Sequence, residues 1–183
     1  IPVIVALFFW DSQMARWLAF LLFVLAAVTD FADGWIARRF QVASPLGRLF
    51  DPIADKLLVG ALIVTLVWTG DAPLVPAILI ICRELLVSGL REYLSEHGVA
   101  LPVTRLAKWK TTVQMVALGL LILGPGGPTF GEVVDTYVIG QVLFWVAAIL
   151  TLITGWVYLR SGLKRPAVAD PEVQDTTSTT TAS

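Results

Sequence analysis

A chain of 183 residues that is 57% hydrophobic and 15% charged, with one cysteine and a net charge of −1, is not composed like a soluble enzyme. Soluble domains are about 45–50% apolar and about 25% charged. A mean hydropathy of +0.80 excludes a disordered chain, the single cysteine excludes an internal disulfide scaffold, and a pI near 5.8 carries no nucleic-acid signal. A membrane helix takes about 20 apolar residues, so six of them use about 120 residues and leave short loops.

The chain opens on an apolar run, Ile1 to Trp10, with no initiator Met and no basic stretch before it. The run is too short to span a bilayer and lacks a signal-peptide cleavage site. It is expected to be the second half of a first helix that starts before Ile1. Further helices are predicted at about residues 15–37, 51–69, 73–95, 103–123 and 136–160. Pro73 and Pro76 fit the first turn of the fourth. The Gly-Pro-Gly-Gly-Pro run at 124–128 stops the fifth. The expected fold class is all-α: a polytopic membrane protein, a six-helix transmembrane bundle with its first helix truncated. Residues 1–165 form that domain, and the polar tail 166–183 is expected to be disordered.

Basic residues set the orientation. Arg38, Arg39 and Arg48 lie between the second and third helices, Arg105, Lys108 and Lys110 around the start of the fifth, and Arg160, Lys164 and Arg165 after the sixth. If every helix crosses, all three groups lie on one side, which is then cytoplasmic together with the C-terminus. The opposite loops hold only Arg16.

Four aspartates stand out against this apolar background. Asp30 and Asp33 are an i, i+3 pair at the cytoplasmic end of the second helix, and Asp51 and Asp55 an i, i+4 pair at the start of the third. Each spacing puts its pair on one helix face. The loop between the helices is short, so they are predicted to be antiparallel neighbours that bring the four carboxylates together. A charge within the membrane costs about 2.5–3.5 kcal/mol, and four like charges add repulsion. Two divalent cations balance four carboxylates, and oxygen donors of this kind suit Mg²⁺ or Mn²⁺. Taken singly, each aspartate reads as an interfacial cap paired with Arg38, Arg39 or Lys56. The double pairing favours the metal site. Gly34 and Ala37 share the face of Asp30 and Asp33 and leave room for a bulky group, unless they serve helix packing alone. Arg38 follows as a phosphate contact.

Asp30-Phe-Ala-Asp33-Gly34-Trp-Ile-Ala37-Arg38, eight residues, Gly47, three residues, Asp51, three residues and Asp55 resemble the complete CDP-alcohol phosphotransferase signature. Enzymes of that family are six-helix membrane proteins. They transfer a phosphoalcohol from a CDP-linked donor to an acceptor hydroxyl and release CMP. The resemblance implies a two-metal site on Asp30, Asp33, Asp51 and Asp55, with Asp55 as the catalytic general base. It places Asp30, Gly34, Ala37, Arg38 and Gly47 against the CDP group. Charge neutralisation by two metals and a carboxylate near the hydroxyl suit displacement at a diphosphate.

The fourth and fifth helices bear on the acceptor. Arg83-Glu84, six residues and Arg91 put Arg83 deep in an apolar stretch, and Lys108-Trp-Lys110-Thr-Thr-Val-Gln-Met opens the fifth helix. Arg83 at that depth either forms a structural pair with Glu84 or an aspartate, or faces a polar cavity. The cavity reading assigns Arg83, Arg91 and Lys108 to an anionic acceptor's phosphate, with Lys110 and Arg105 as weaker candidates. Both patterns resemble the phosphatidylglycerophosphate synthase branch of the family. That branch implies CDP-diacylglycerol as donor and sn-glycerol 3-phosphate as acceptor. A homodimer among membrane lipids is expected, with no nucleic-acid partner. The family's N-terminal stretch has no counterpart before Ile1, so nucleotide contacts from it are unassigned. Cys82 is expected to be a buried apolar filler, and His97, the sole histidine, to have no catalytic part. The alternatives are the same chemistry on another acceptor, such as inositol phosphate or serine, and a divalent-cation transporter that uses the aspartates as its path.

Overall fold

The computed structural model describes residues 1–40, 45–96, 105–130 and 134–163. His97 and the tail 166–183 lie outside them.

Six helices follow in order: α1 (Pro2–Leu7), α2 (Gln13–Phe40), α3 (Pro45–Trp68), α4 (Leu74–Glu96), α5 (Arg105–Leu123) and α6 (Thr136–Leu163). Two two-residue strands, β1 (Thr129–Phe130) and β2 (Val134–Asp135), pair antiparallel between α5 and α6. The fold is a helical bundle, and this hairpin is its only strand pairing among the described residues.

Local chemistry explains the boundaries. Ser12 Oγ accepts the Ala15 N–H at 3.2 Å and caps α2. Asp135 Oδ1 accepts the Tyr137 N–H at 2.9 Å and caps α6 in the same way. Pro76 sits in the first turn of α4, where a missing N–H costs nothing. Gly124 ends α5 in the left-handed region, at a φ of 67°, and Pro125 prevents continuation.

Among the described residues, three helices hold stretches long and apolar enough to cross a membrane: Gln13–Asp30, Leu106–Leu123 and Thr136–Arg160. In α3 only Lys56–Trp68 is continuously apolar, because its first turns carry the aspartates. Arg83 and Glu84 interrupt α4 in the same sense. Both α3 and α4, whose charged residues interrupt the apolar span, contribute to the candidate site. Cys82 is exposed on α4, contrary to the expected burial. In a bundle whose outer face is apolar, exposure to lipid costs a thiol little, so the position needs no interior place.

The core lies where α5 packs extensively on α6, and α4 packs on the other flank of α6. Leu118, Leu121, Ile122, Phe144 and Ala147 are fully buried there. Small residues allow the close approach, as is usual between membrane helices. At Gly140 a Cβ would lie 3.1 Å from the Leu120 Cβ.

The α2–α3 pairing is expected around the loop that joins the two helices, where most side chains lie outside the described residues. α2 packs on α5, where Phe20 and Phe23 meet Gly119, while α3 packs on α4, α5 and α1. Both α2 and α3 line a cavity that is described below.

The far end of the bundle, away from the aspartates, is tied by one polar cluster. Arg16 Nη1 donates to Asp71 Oδ2 at 2.8 Å, and Thr69 Oγ1 donates to the same oxygen at 2.6 Å. Gln141 Nε2 donates to the Asp71 carbonyl at 2.6 Å, and Gln13 Nε2 to the Leu123 carbonyl at 3.0 Å. The Arg16 guanidinium also lies 5.6 Å from the Phe8 ring centroid. Gly124 is required here twice over: its φ is positive, and a Cβ would stand 2.5 Å from Arg16 Nη1. The Arg16 side chain is 22% exposed and can rehydrate in part when alone, so the loss of its partner costs about 1–3 kcal/mol. Asp71→Ala is accordingly expected to lower stability in detergent by about that amount, and an unchanged melting temperature would contradict the clamp.

Candidate active site

A cavity of about 690 Å³ opens between α2, α3, α4 and α5. One end is charged, with Asp30, Lys56, Glu84, Arg91 and Lys110 on its wall. The rest is apolar, including Leu58, Ile63, Ile80, Leu85 and Val116. The Lys56 ammonium donates to Ser88 Oγ, which links α3 to α4 at the charged end. Asp30 and Asp33 are both exposed, one turn apart on α2. The side chains of Gly34, Ala37, Arg38, Gly47, Asp51 and Asp55 lie outside the described residues, as does that of Arg105. Among the described residues no three acidic, histidine or cysteine side chains gather as a metal site. The donor chemistry of Asp30 and Asp33, hard carboxylate oxygens on one exposed helix face, fits a Mg²⁺-type cation.

A second cavity of about 410 Å³ lies between α4, α5 and α6. Arg83, Arg91, Lys108 and Lys110 all line it, with Glu84 as its one acidic wall residue and Tyr158 closing it from α6. Helical spacing explains the grouping. Arg83 and Arg91 are two turns apart on α4, and Lys108 and Lys110 stand on the first turns of α5 opposite them. Arg91 and Lys108 are exposed, whereas the Lys110 side chain is 4% exposed and that of Arg83 11%. The two outer cations can meet an incoming anion, and the two inner ones form the back wall.

Buried cations need partners. Glu84 serves both. Its Oε1 accepts from the Lys110 ammonium and, at 3.3 Å, from Arg83 Nη1. Arg83 Nη2 donates to Thr154 Oγ1 at 2.9 Å. The Arg83–Glu84 pair read as an alternative to the cavity thus exists on the wall of the cavity itself. Glu84, Arg91, Lys110, Thr111 and Thr112 line both cavities, so the Glu84–Lys110 pair stands at their common boundary. Gln114 Oε1 is buried on the larger cavity's side without a protein partner.

The bridging part of Glu84 and the contribution of α6 were not visible in the helix-by-helix pattern. Thr154 and Tyr158 are four residues apart on one face of α6, but Gln141, Thr151 and Arg160 are polar positions on the same helix, so the signal was weak.

Residues 1–153 match the model of the CDP-alcohol phosphatidyltransferase family. The chain belongs to that family. Among similar proteins, the CDP-diacylglycerol–glycerol-3-phosphate 3-phosphatidyltransferase of Rickettsia typhi is 48% identical, over 88% of this chain and 89% of the relative. The Cereibacter sphaeroides protein of the same name is 40% identical, over 88% of each chain. An Arabidopsis thaliana relative, number 2 of that name, is 37% identical over 87% of this chain and 73% of its own length. For this CDP-alcohol phosphatidyltransferase the signature aspartates and the cavity residues of α2 to α5 therefore fall inside the family match, and Tyr158 of α6 lies beyond it.

The Glu84–Lys110 pair is asymmetric. The Glu84 side chain is 25% exposed and can rehydrate when alone, but Lys110 is enclosed. Glu84→Ala should therefore destabilise the protein by about 3 kcal/mol and Lys110→Ala by clearly less. Thermal denaturation of the two variants checks this, and the reverse order would contradict it.

Proposed function

We propose that the chain transfers the phosphatidyl group of CDP-diacylglycerol to the free hydroxyl of sn-glycerol 3-phosphate, giving phosphatidylglycerophosphate and CMP. The observation that carries this reading is the smaller cavity: four cationic side chains from α4 and α5 around one space, beside a larger cavity that is charged at one end and apolar elsewhere. The printed names of relatives spanning nearly nine-tenths of the chain support it.

A glycerol phosphate dianion suits a pocket of guanidinium and ammonium groups, and charge-assisted hydrogen bonds are roughly twice as strong as neutral ones. An uncharged or zwitterionic acceptor such as serine offers no comparable partner. Arg83, Arg91, Lys108 and Lys110 hold the phosphate and so turn the acceptor's hydroxyl end toward the boundary shared with the larger cavity. The apolar wall of that cavity suits acyl chains of the donor. Asp30, Gly34, Ala37, Arg38 and Gly47 lie against its CDP group. Asp30, Asp33, Asp51 and Asp55 would hold two divalent cations, Mg²⁺ or Mn²⁺, which would supply charge neutralisation at the diphosphate. The Asp55 carboxylate takes the proton from the acceptor hydroxyl. The hydroxyl oxygen forms a bond to the phosphatidyl phosphorus, and the bond from that phosphorus to the CMP oxygen breaks.

Positive-side topology supports a multi-pass protein of the bacterial inner membrane, with the site and the C-terminus cytoplasmic. A homodimer in a phospholipid bilayer belongs to the same proposal.

Two substitutions test the assignment. Asp55→Asn is expected to abolish CMP release while the protein stays folded, and near-normal turnover would remove the base role. Arg83→Ala is expected to raise the acceptor KM by at least about tenfold, since a hydrogen bond to a charged group contributes about 1.5–3 kcal/mol. The donor KM should change little. Equal effects on both would argue against a glycerol-phosphate pocket.

A further inference from the structure

Arg83 is held from two helices, and the hold from α6 is the better defined. Arg83 Nη2 donates to Thr154 Oγ1 at 2.9 Å, while the contact to Glu84 is long at 3.3 Å. The Thr154 hydroxyl is itself oriented. Its oxygen lies 2.8 Å from the Leu150 carbonyl and 3.1 Å from the Thr151 carbonyl. A hydroxyl has one proton and two lone pairs. The proton goes back to its own helix, as threonine commonly allows. The lone pairs are then left for the guanidinium. Thr154 is 2% exposed, so water does not compete for this bond.

The next position provides space. At Gly155 a Cβ would lie 3.0 Å from Arg83 Cγ and 3.6 Å from Nε. Bare backbone at this point lets the arginine stem lie against α6. One turn beyond Thr154, the Tyr158 ring centroid is 5.8 Å from Arg83 Cζ, within cation–π range. Acceptor, gap and ring together make a cradle for one side chain. All three positions lie past residue 153, where the family match ends.

We propose that Thr154, with Gly155 and Tyr158, is a positioning set that fixes the Arg83 guanidinium for the acceptor's phosphate. The proposal rests on the reading of the smaller cavity as the glycerol 3-phosphate site. Thr154 acts through Arg83 and touches no reacting atom. Its loss leaves the guanidinium with only the long contact to Glu84 and the Tyr158 ring, so acceptor binding weakens and donor binding does not.

The test measures KM for both substrates by CMP release, using the full chain in membranes. The variants are Thr154→Val, Thr154→Ser, Gly155→Ala, Arg83→Ala and the double variant Arg83→Ala/Thr154→Val. Thr154→Val is expected to raise the acceptor KM about tenfold with the donor KM unchanged, the scale of one hydrogen bond to a charged group. Thr154→Ser keeps the hydroxyl and should restore the wild-type acceptor KM. On the Arg83→Ala background, Thr154→Val should add nothing, because the two residues act as one unit. Equal shifts in both KM values, no rescue by serine, or an additive double variant would overturn the proposal. If Thr154→Val fails to fold, Gly155→Ala carries the same expectation of a selective rise in acceptor KM, and no such rise overturns the proposal. If Arg83→Ala leaves the acceptor KM unchanged, the cavity reading itself falls. If Arg83→Ala raises it and Thr154→Val does not, only the positioning claim falls.

Discussion

Positive charge enclosed among apolar helices must be answered by a carboxylate or another acceptor, and the layout of this chain follows from how that is done. Arg83 and Lys110 enter the bundle from α4 and α5, and Glu84 receives both. Each intramembrane charge costs about 2.5–3.5 kcal/mol when unanswered. With one carboxylate between them, two cations are held and one positive charge is left over. Arg91 and Lys108 add to that surplus at the mouth of the same cavity. The pocket is thus built to be incomplete: its electrostatics are satisfied by a further anion, which the proposed acceptor supplies.

The rest of the bundle makes this arrangement affordable. The extensive α5–α6 contact, with Leu118, Leu121 and Phe144 fully buried, supplies a dry core beside the charged groups. The Arg16–Asp71 cluster ties α2, α6 and the two loops at the far end. The larger cavity lies between α2, α3, α4 and α5, charged around Glu84 and Lys110 and mostly apolar elsewhere.

Much of this was legible in the sequence, for physical reasons. Helix limits showed where starting and breaking residues sit: Pro76 lies in the first turn of α4, and Gly124 ends α5. The four cations of the smaller cavity were legible because arginine deep in an apolar run is costly, and helical spacing puts Arg91 on its side. The pairing of helices was not legible. Nothing local reveals that α2 packs on α5, or that a cavity opens between α2, α3, α4 and α5. The part of α6 was missed for a related reason. Thr154, Gly155 and Tyr158 look unremarkable until Arg83 reaches them across 71 positions of sequence between Arg83 and Thr154. The aspartate motif was the clearest sequence signal, and its family is the one the matched residues 1–153 establish.

The central claim is that a tetracationic pocket selects an acceptor bearing a phosphate dianion. The most direct measurement supplies CDP-diacylglycerol and one labelled acceptor at a time to membranes containing the chain, and follows lipid product and CMP together. The account predicts labelled phosphatidylglycerophosphate and matching CMP release with glycerol 3-phosphate, and neither with serine. Turnover with serine and none with glycerol 3-phosphate would contradict it.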